Sequence, residues 1–304
     1  MNKTFLLRSG YDGVDISVLV CAPDTEPVAV LQLAHGMRGY KDRFLPLMEY
    51  LSDHGVACVA NDHRGHGMSV KHPSDRGYMY SGGHIALVED MKMVTEWARS
   101  VFPGVPVFLL GHSMGSLAAG TYLKVHDDLL DGLILCGTPG YNPLAPAAQL
   151  LFRLLSIIND GRMRMGGIQT AVSSVYNRRF RNEGSDAWIC ANPRSRVRFL
   201  NNPLCSFDFT ANAMHALMCL MRERYSDDGW MVMNPDVHIY FISGEDDPVM
   251  RGESGLHDAA IHMKMRGYSD VTSAIYSGMR HEVLNEIGKE EVWEDILEHI
   301  RSWI

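Results

Sequence analysis

Six apolar runs of five or six residues recur along the chain, at 28–33, 56–60, 105–110, 132–136, 237–242 and 271–276. They are rich in Val, Ile, Leu and Phe and are not relieved by alternating polar positions, the pattern of strands buried on both faces. Between them lie stretches of helical period, such as 44–54 and 84–101. The chain closes with 291–304, where Val292, Trp293, Ile296, Leu297, Ile300 and Trp303 repeat at the i, i+3, i+4 spacing of an amphipathic helix. Buried strands alternating with helices predict an α/β fold with a mostly parallel central sheet flanked by helices. Ahead of the first run, 4–8 and 14–20 flank Asp12-Gly13, which predicts a tight antiparallel hairpin turn.

The alternation breaks once. Residues 139–235 carry helical apolar patches and turn residues but no strand run, so 1–138 and 236–304 are expected to form one α/β body and 139–235 a helical insertion after the sixth strand or so. The first cap helix is expected over 144–159. Only Gln149, Arg153 and Ser156 make a polar stripe on it, so it must face apolar surroundings on most sides.

Composition narrows the class. With 304 residues, 46% hydrophobic and 21% charged, the chain is neither disordered nor fibrous, and it can bury a core without staples. A net charge of −8 argues against a nucleic-acid partner. The charge is uneven: residues 139–235 hold 11 Arg and no Lys against 7 acidic residues, leaving the body strongly acidic. Six cysteines without a C-x-x-C pair speak for buried thiols rather than metal or redox chemistry. No signal-length apolar stretch opens the sequence and no run approaches the ~18 residues of a membrane span, so a reducing cytoplasm is the expected location.

The chemistry begins at Gly111-His-Ser-Met-Gly115, a G-x-S-x-G pentapeptide between a β-rich run and a helix-forming one. A strand-turn-helix elbow puts the serine in a strained conformation and presses backbones together, which is why glycines flank it. Ser113 is therefore the candidate nucleophile. A serine needs a base, and the base needs an acid, in the chain order Ser, Asp, His and at the ends of later strands. After the run at 237–242 comes Ser243-Gly-Glu-Asp-Asp-Pro248, offering Asp247 or Asp246. Pro248 holds Asp247 towards extended backbone and favours it. After the run at 271–276 comes Ser277-Gly-Met-Arg-His281, offering His281.

Fourteen histidines supply competitors. His112 adjoins the nucleophile, but neighbours at an elbow point apart, so a role in supporting the turn is expected. His257 and His262 fall on a predicted helix as solvent or packing residues. Asp62-His-Arg-Gly-His-Gly67, with His72 nearby, has the look of a metal cluster, yet its glycines and arginine favour a structural loop. Acyl transfer also needs donors aimed at an oxyanion: the backbone N–H of Met114, and that of Met37 in the loop His35-Gly-Met-Arg-Gly39.

Taken together, Leu33-Ala-His-Gly-Met37, Asp62-His-Arg-Gly-His-Gly-Met-Ser69, Gly111-His-Ser-Met-Gly-Ser116, Gly244-Glu-Asp-Asp-Pro248 and Arg280-His-Glu-Val-Leu-Asn-Glu286 closely resemble the monoacylglycerol lipase/lysophospholipase branch of the α/β-hydrolase superfamily. The resemblance implies the α/β-hydrolase fold with a cap after the sixth strand, Ser113, Asp247 and His281 as a triad, and Met37 and Met114 as the oxyanion hole, with no cofactor or metal. One departure stands out: where the family commonly has Gly-Glu-His or Ala-Glu-His, this chain has Arg38, Gly39 and Tyr40.

The expected activity is hydrolysis of carboxylic esters of hydrophobic acyl groups, of monoacylglycerol or lysophospholipid type, through an acyl-enzyme. Acyl transfer or peptide cleavage on the same triad is the enzymatic alternative, and a non-catalytic binding protein is the other. The expected partner is a small acyl ester. Met214, Met218, Met221, Met231 and Met233 crowd one part of the cap and suit an irregular apolar ligand, a peripheral membrane contact, or plain packing against the body. The cap arginines, Arg178 and Arg179 among them, either meet a phosphate or anionic membrane or pair with carboxylates.

Overall fold

In the computed structural model, which describes residues 2–304, the chain opens with a hairpin of β1 (Asn2–Arg8) and β2 (Asp15–Cys21). Met1, the first residue of the expected body, lies outside the described residues. The six apolar runs form β3 (Ala29–Ala34), β4 (Val56–Asn61), β5 (Val107–His112), β6 (Gly132–Cys136), β7 (His238–Gly244) and β8 (Val271–Tyr276). One sheet holds all eight in the order β1-β2-β4-β3-β5-β6-β7-β8; β2 is antiparallel to both its neighbours and every later pairing is parallel.

The hairpin is wider than the tight turn expected. Ser9 N–H still reaches Val14 O, and residues 10–13 bulge beyond it with Gly13 at φ 69°. The buried guanidinium of Arg64 explains the opening: it donates to Ser9 Oγ and to both carboxylate oxygens of Asp12.

Period-two alternation sends neighbouring side chains of one strand into two cores. Val30 joins the core covered by α2 (Gly83–Val101), α3 (Met114–His126) and α8 (Gly252–Met265), whereas Leu31 and Leu33 join the core under α1 (Leu45–Asp53) and α9 (Lys289–Ser302). Gln32 is the polar exception in β3. It is satisfied in place, accepting from Thr95 Oγ1 at 2.6 Å and donating to Met91 O at 3.0 Å.

Between β6 and β7 stand α4 (Ala145–Leu155), α5 (Gly166–Tyr176), α6 (Pro193–Asn201) and α7 (Ala211–Tyr225). The first is shorter than the 144–159 expected: it ends at Leu155, and after a turn at Ser156 and Ile157 the chain reverses through Asn159 and Asp160 at φ 50° and 52° into Gly161. Its surroundings are also less apolar than expected. Ala145 and Phe152 are buried, but Leu150, Leu151, Leu154 and Ile157 are all at least half exposed. By contrast α7 lies in the same core as α2 and α3 through Ala213, Met214, Ala216 and Leu220. Its Arg224 crosses α3 over Gly120, where any Cβ would collide with the arginine stem. Among the described residues no helix is long and apolar enough to cross a membrane.

Candidate active site

The turn from β5 into α3 leaves Ser113 at φ 56°, ψ −118°, outside the regions L-residues favour. Close backbone packing imposes this. A Cβ at Gly115 would strike Ala34 O of β3, and one at Gly111 would strike Gly115 O, so neither position admits a side chain without opening the elbow. Ser113 N–H is tied to Cys136 O at the end of β6 (2.9 Å).

The loops after β7 and β8 deliver two more predicted residues to the same edge. His281 Nε2 lies 2.8 Å from Ser113 Oγ, and His281 Nδ1 lies 2.9 Å from Asp247 Oδ2. Asp247 is fixed in turn by Val249 N–H at 2.8 Å and Ser243 Oγ at 3.2 Å, the first a consequence of the turn through Pro248. Asp246 turns elsewhere and pairs with Arg179 at 2.5 Å. Burial disfavours a charged imidazole, but the adjacent Asp247 carboxylate outweighs it and raises the His281 pKa above its ordinary value. With Nδ1–H donated to the carboxylate, Nε2 is left to accept the serine proton.

His112 does not point away from this chain of hydrogen bonds, as elbow geometry suggested. The bend at Ser113 brings the ring to 4.9 Å from that of His281, and Nε2–H donates to His281 O at 3.1 Å. Burial, then the His281 charge, lowers its pKa to about 4, so it stays a neutral donor. His257 is exposed on α8, and His262 packs there against Arg224 at 3.2 Å.

The loop at 35–39 rests on the elbow: a Cβ on Gly36 would stand 3.0 Å from Ser113 Cβ. Met37 N–H and Met114 N–H donate to no partner among the described residues, and both residues line the cavity that holds Ser113 and His281. Behind the loop, His35 donates from Nδ1 to Gly36 O (2.8 Å) and accepts His63 N–H at Nε2 (2.9 Å). The rings of His63 and His66 pack 4.3 and 5.0 Å from it. Burial, joined at His35 and His63 by repulsion from the neighbouring rings, takes His35 well below the usual imidazole range and His63 down to about 3, and burial alone takes His66 down to about 4. These rings are neutral scaffolding. Asp62 accepts Lys41 N–H, Lys41 Nζ and Met68 N–H, and His72 is exposed, so the 62–67 stretch buttresses the loop; among the described residues no His, Cys, Asp or Glu group is arranged to hold a metal.

Above Ser113 opens a cavity of about 440 Å³, within the range of small-molecule sites. Leu117, Phe152 and Ile168 line it together with Met214, Met218 and Met221. Met231 and Met233, grouped with these in the sequence, lie beyond the end of α7 and are 57% and 51% exposed.

Contacts that local patterns did not single out hold the His281 loop. Glu282 accepts both Arg43 nitrogens, at 2.7 and 2.5 Å, and Glu282 N–H donates to Ile189 O at 2.8 Å. Arg280 reaches Ala187 O and the Glu183 carboxylate, with its guanidinium 3.9 Å from the Phe180 ring centroid. Glu286 accepts Arg280 N–H, Ala191 N–H and Asn192 N–H at 3.0, 2.6 and 3.1 Å. Trp188 lays its ring 5.3 Å from that of His281. The only signal for these was the charged run around His281 itself.

Comparison with known proteins fits this arrangement. The model of the family described as serine aminopeptidase, S33, matches residues 25–288. A monoglyceride lipase homolog of Monkeypox virus is 36% identical over 51% of this chain and 56% of its own length. The chain thus spans about half the length of that relative, and the same holds for others. The human monoglyceride lipase is 24% identical over 93% of this chain and 84% of its own. Among solved structures, a thermostable carboxyl esterase from Bacillus coagulans superposes with a TM-score of 0.89 at 24% identity, covering 99% of this chain and 98% of that one, which shows the shared fold.

Proposed function

Because the chain belongs to the serine aminopeptidase S33 family, whose hydrolase fold it has, we propose that it hydrolyses carboxylic esters of hydrophobic acyl groups through an acyl-enzyme on Ser113. The observation that carries this reading is the chain Asp247–His281–Ser113, with links of 2.9 and 2.8 Å, at the foot of a cavity lined by apolar side chains. His281 Nε2 takes the hydroxyl proton as Ser113 Oγ bonds to the ester carbon, and Asp247 steadies the imidazolium. The carbonyl oxygen becomes an oxyanion facing the free N–H groups of Met37 and Met114. Collapse expels the alcohol, which takes the proton from His281. Water, deprotonated by the same nitrogen, then releases the acid and restores Ser113.

Residues 139–235 serve as the cap in this reading and supply Met214, Met218 and Met221 to the acyl group. The exposed leucines of α4 support a lipid-facing outer side. A glycerol-type ester with one hydrophobic acyl group suits the apolar end of this cavity, and the monoglyceride lipases among its relatives support that class. The test is a panel of esters from two to sixteen acyl carbons with and without a glycerol head, run beside Ser113→Ala and a fluorophosphonate label. Ser113-dependent turnover that favours longer chains supports the proposal. Labelling without ester turnover overturns it in favour of another acyl acceptor, and absence of labelling in favour of a binding protein.

A further inference from the structure

Two guanidinium groups flank the Phe199 ring beside the cavity, Arg43 at 4.6 Å and Arg38 at 5.3 Å from its centroid. Their charges are treated differently. Arg43 is answered on both nitrogens by Glu282. Arg38 makes one hydrogen bond, from Nε to Cys205 O at 2.7 Å, and has no carboxylate partner among the described residues. Its Nη1 and Nη2 donors remain unused.

Arg38 follows Met37 directly and holds φ 61°, a strained value for a side-chain-bearing residue, of the kind found where position matters to a site. It lines the apolar cavity and also a smaller one of about 150 Å³ walled by polar groups, among them Gln169, Ser173, Asn177, Asp186 and Asp208. Asp186 and Asp208 share this smaller cavity, yet neither forms an ion pair with Arg38 among the described residues: Asp186 accepts from Ser173 Oγ, and Asp208 is exposed. With the acyl group among the methionines, the part of the ester that meets Arg38 is the alcohol. A neutral polyol leaves a half-buried positive charge unmatched; an anionic oxygen makes a charge-assisted, bidentate contact with it.

We propose that Arg38 is a specificity-determining residue that selects esters whose alcohol portion carries an anionic group such as a phosphate. This rests on the hydrolase reading above and adds the charge of the leaving alcohol to it. It also assigns a task to the position where the chain departs from the usual Gly-Glu-His or Ala-Glu-His.

The test compares kcat/KM for 1-decanoylglycerol and 1-decanoylglycerol 3-phosphate, each below its aggregation concentration, in wild type, Arg38→Gln and Arg38→Lys. The wild type is expected to turn over the phosphate ester at least as well as the neutral one. Arg38→Gln is expected to lower the phosphate-to-neutral ratio about tenfold or more, the worth of a charge-assisted hydrogen bond, and Arg38→Lys to lower it less. Fluorophosphonate labelling of Ser113 reports that each variant keeps an intact site, and Arg38→Lys carries the test if Arg38→Gln does not fold. A wild type that prefers the neutral ester, or a ratio that falls less than threefold in the variant tested, overturns the proposal. If neither ester shows Ser113-dependent hydrolysis, the hydrolase reading itself fails, which is a different result.

Discussion

Glu282 and Arg43 meet through two parallel hydrogen bonds of 2.7 and 2.5 Å, and Glu282 is the residue immediately after His281. The pair ties the His281 loop to the segment leading into α1. Burial opposes charge on Glu282, but Arg43 outweighs it and holds the carboxyl below its ordinary range.

Breaking this pair on one side leaves a buried charge alone. Glu282→Gln is expected to destabilise the fold by about 3 kcal/mol or more, and Arg43→Met by a similar amount. The double variant, with Glu282→Met and Arg43→Met, should recover part of the loss because no orphaned charge remains. Urea unfolding of the three variants measures it; three equal losses would mean the pair matters by packing alone.

Replacing Asp247 with Asn should lower kcat/KM on a soluble ester by about 10³- to 10⁴-fold, since the amide no longer fixes the His281 tautomer or steadies its cation. The pH profile gives the sign. In the proposed role His281 must be neutral to accept the serine proton, and its pKa is raised in the folded protein, so activity should climb with pH through a midpoint above about 6.5. In Asp247→Asn the residual activity should reach its plateau at lower pH. A midpoint that stays in place would mean another group titrates.

Acid should loosen the loop that carries Met37. His63 and His66 titrate at about 3 and about 4 in the folded protein, and His35 is also well below the usual range, while in the unfolded chain each takes a proton near 6.5. Between those limits the unfolded state binds more protons, so stability is complete above about pH 6.5 and falls as pH drops. Each ring costs about 1.4 kcal/mol per pH unit. Unfolding free energies measured from pH 7 to 5 should fall steeply, and His63→Phe should flatten the slope.

Gly120→Ala tests how α7 is held. The new methyl group would collide with the stem of Arg224, which crosses there, and overpacking of this kind costs about 1–3 kcal/mol. Adding Arg224→Ala on the same background should relieve most of that strain; a simple sum of the two losses would show that the crossing is not the cause.

What the sequence disclosed depended on how local each cause was. The strands were legible because their side chains are buried on both faces, and the elbow because two glycines sit where backbones touch at Ala34 and Gly115. The end of α4 was not, since apolar Leu155, Ile157 and Ile158 carry the hydrophobic pattern past the point where the helix stops. The direction of the His112 ring was not legible, because it depends on the bend at Ser113. The partners of Arg280, Glu282 and Glu286 were out of reach, as they lie roughly a hundred residues upstream or, for Arg43, still further.

The His281 loop and the 183–195 stretch share hydrogen bonds through Arg280, Glu282, Asn285 and Glu286, so two regions far apart in sequence have become one part mechanically. Exchanging residues 139–235 for the corresponding segment of a related protein would therefore not be a modular operation. A foreign segment would lack the Glu183 carboxylate and would meet Arg280 and Glu286 with its main chain only if its backbone followed the same path, so His281 would lose its alignment although no residue outside 139–235 had changed. Any graft aimed at altering specificity must carry residues 280–286 with it, or stop at α4 and α5, which among the described residues make no hydrogen bond to that loop.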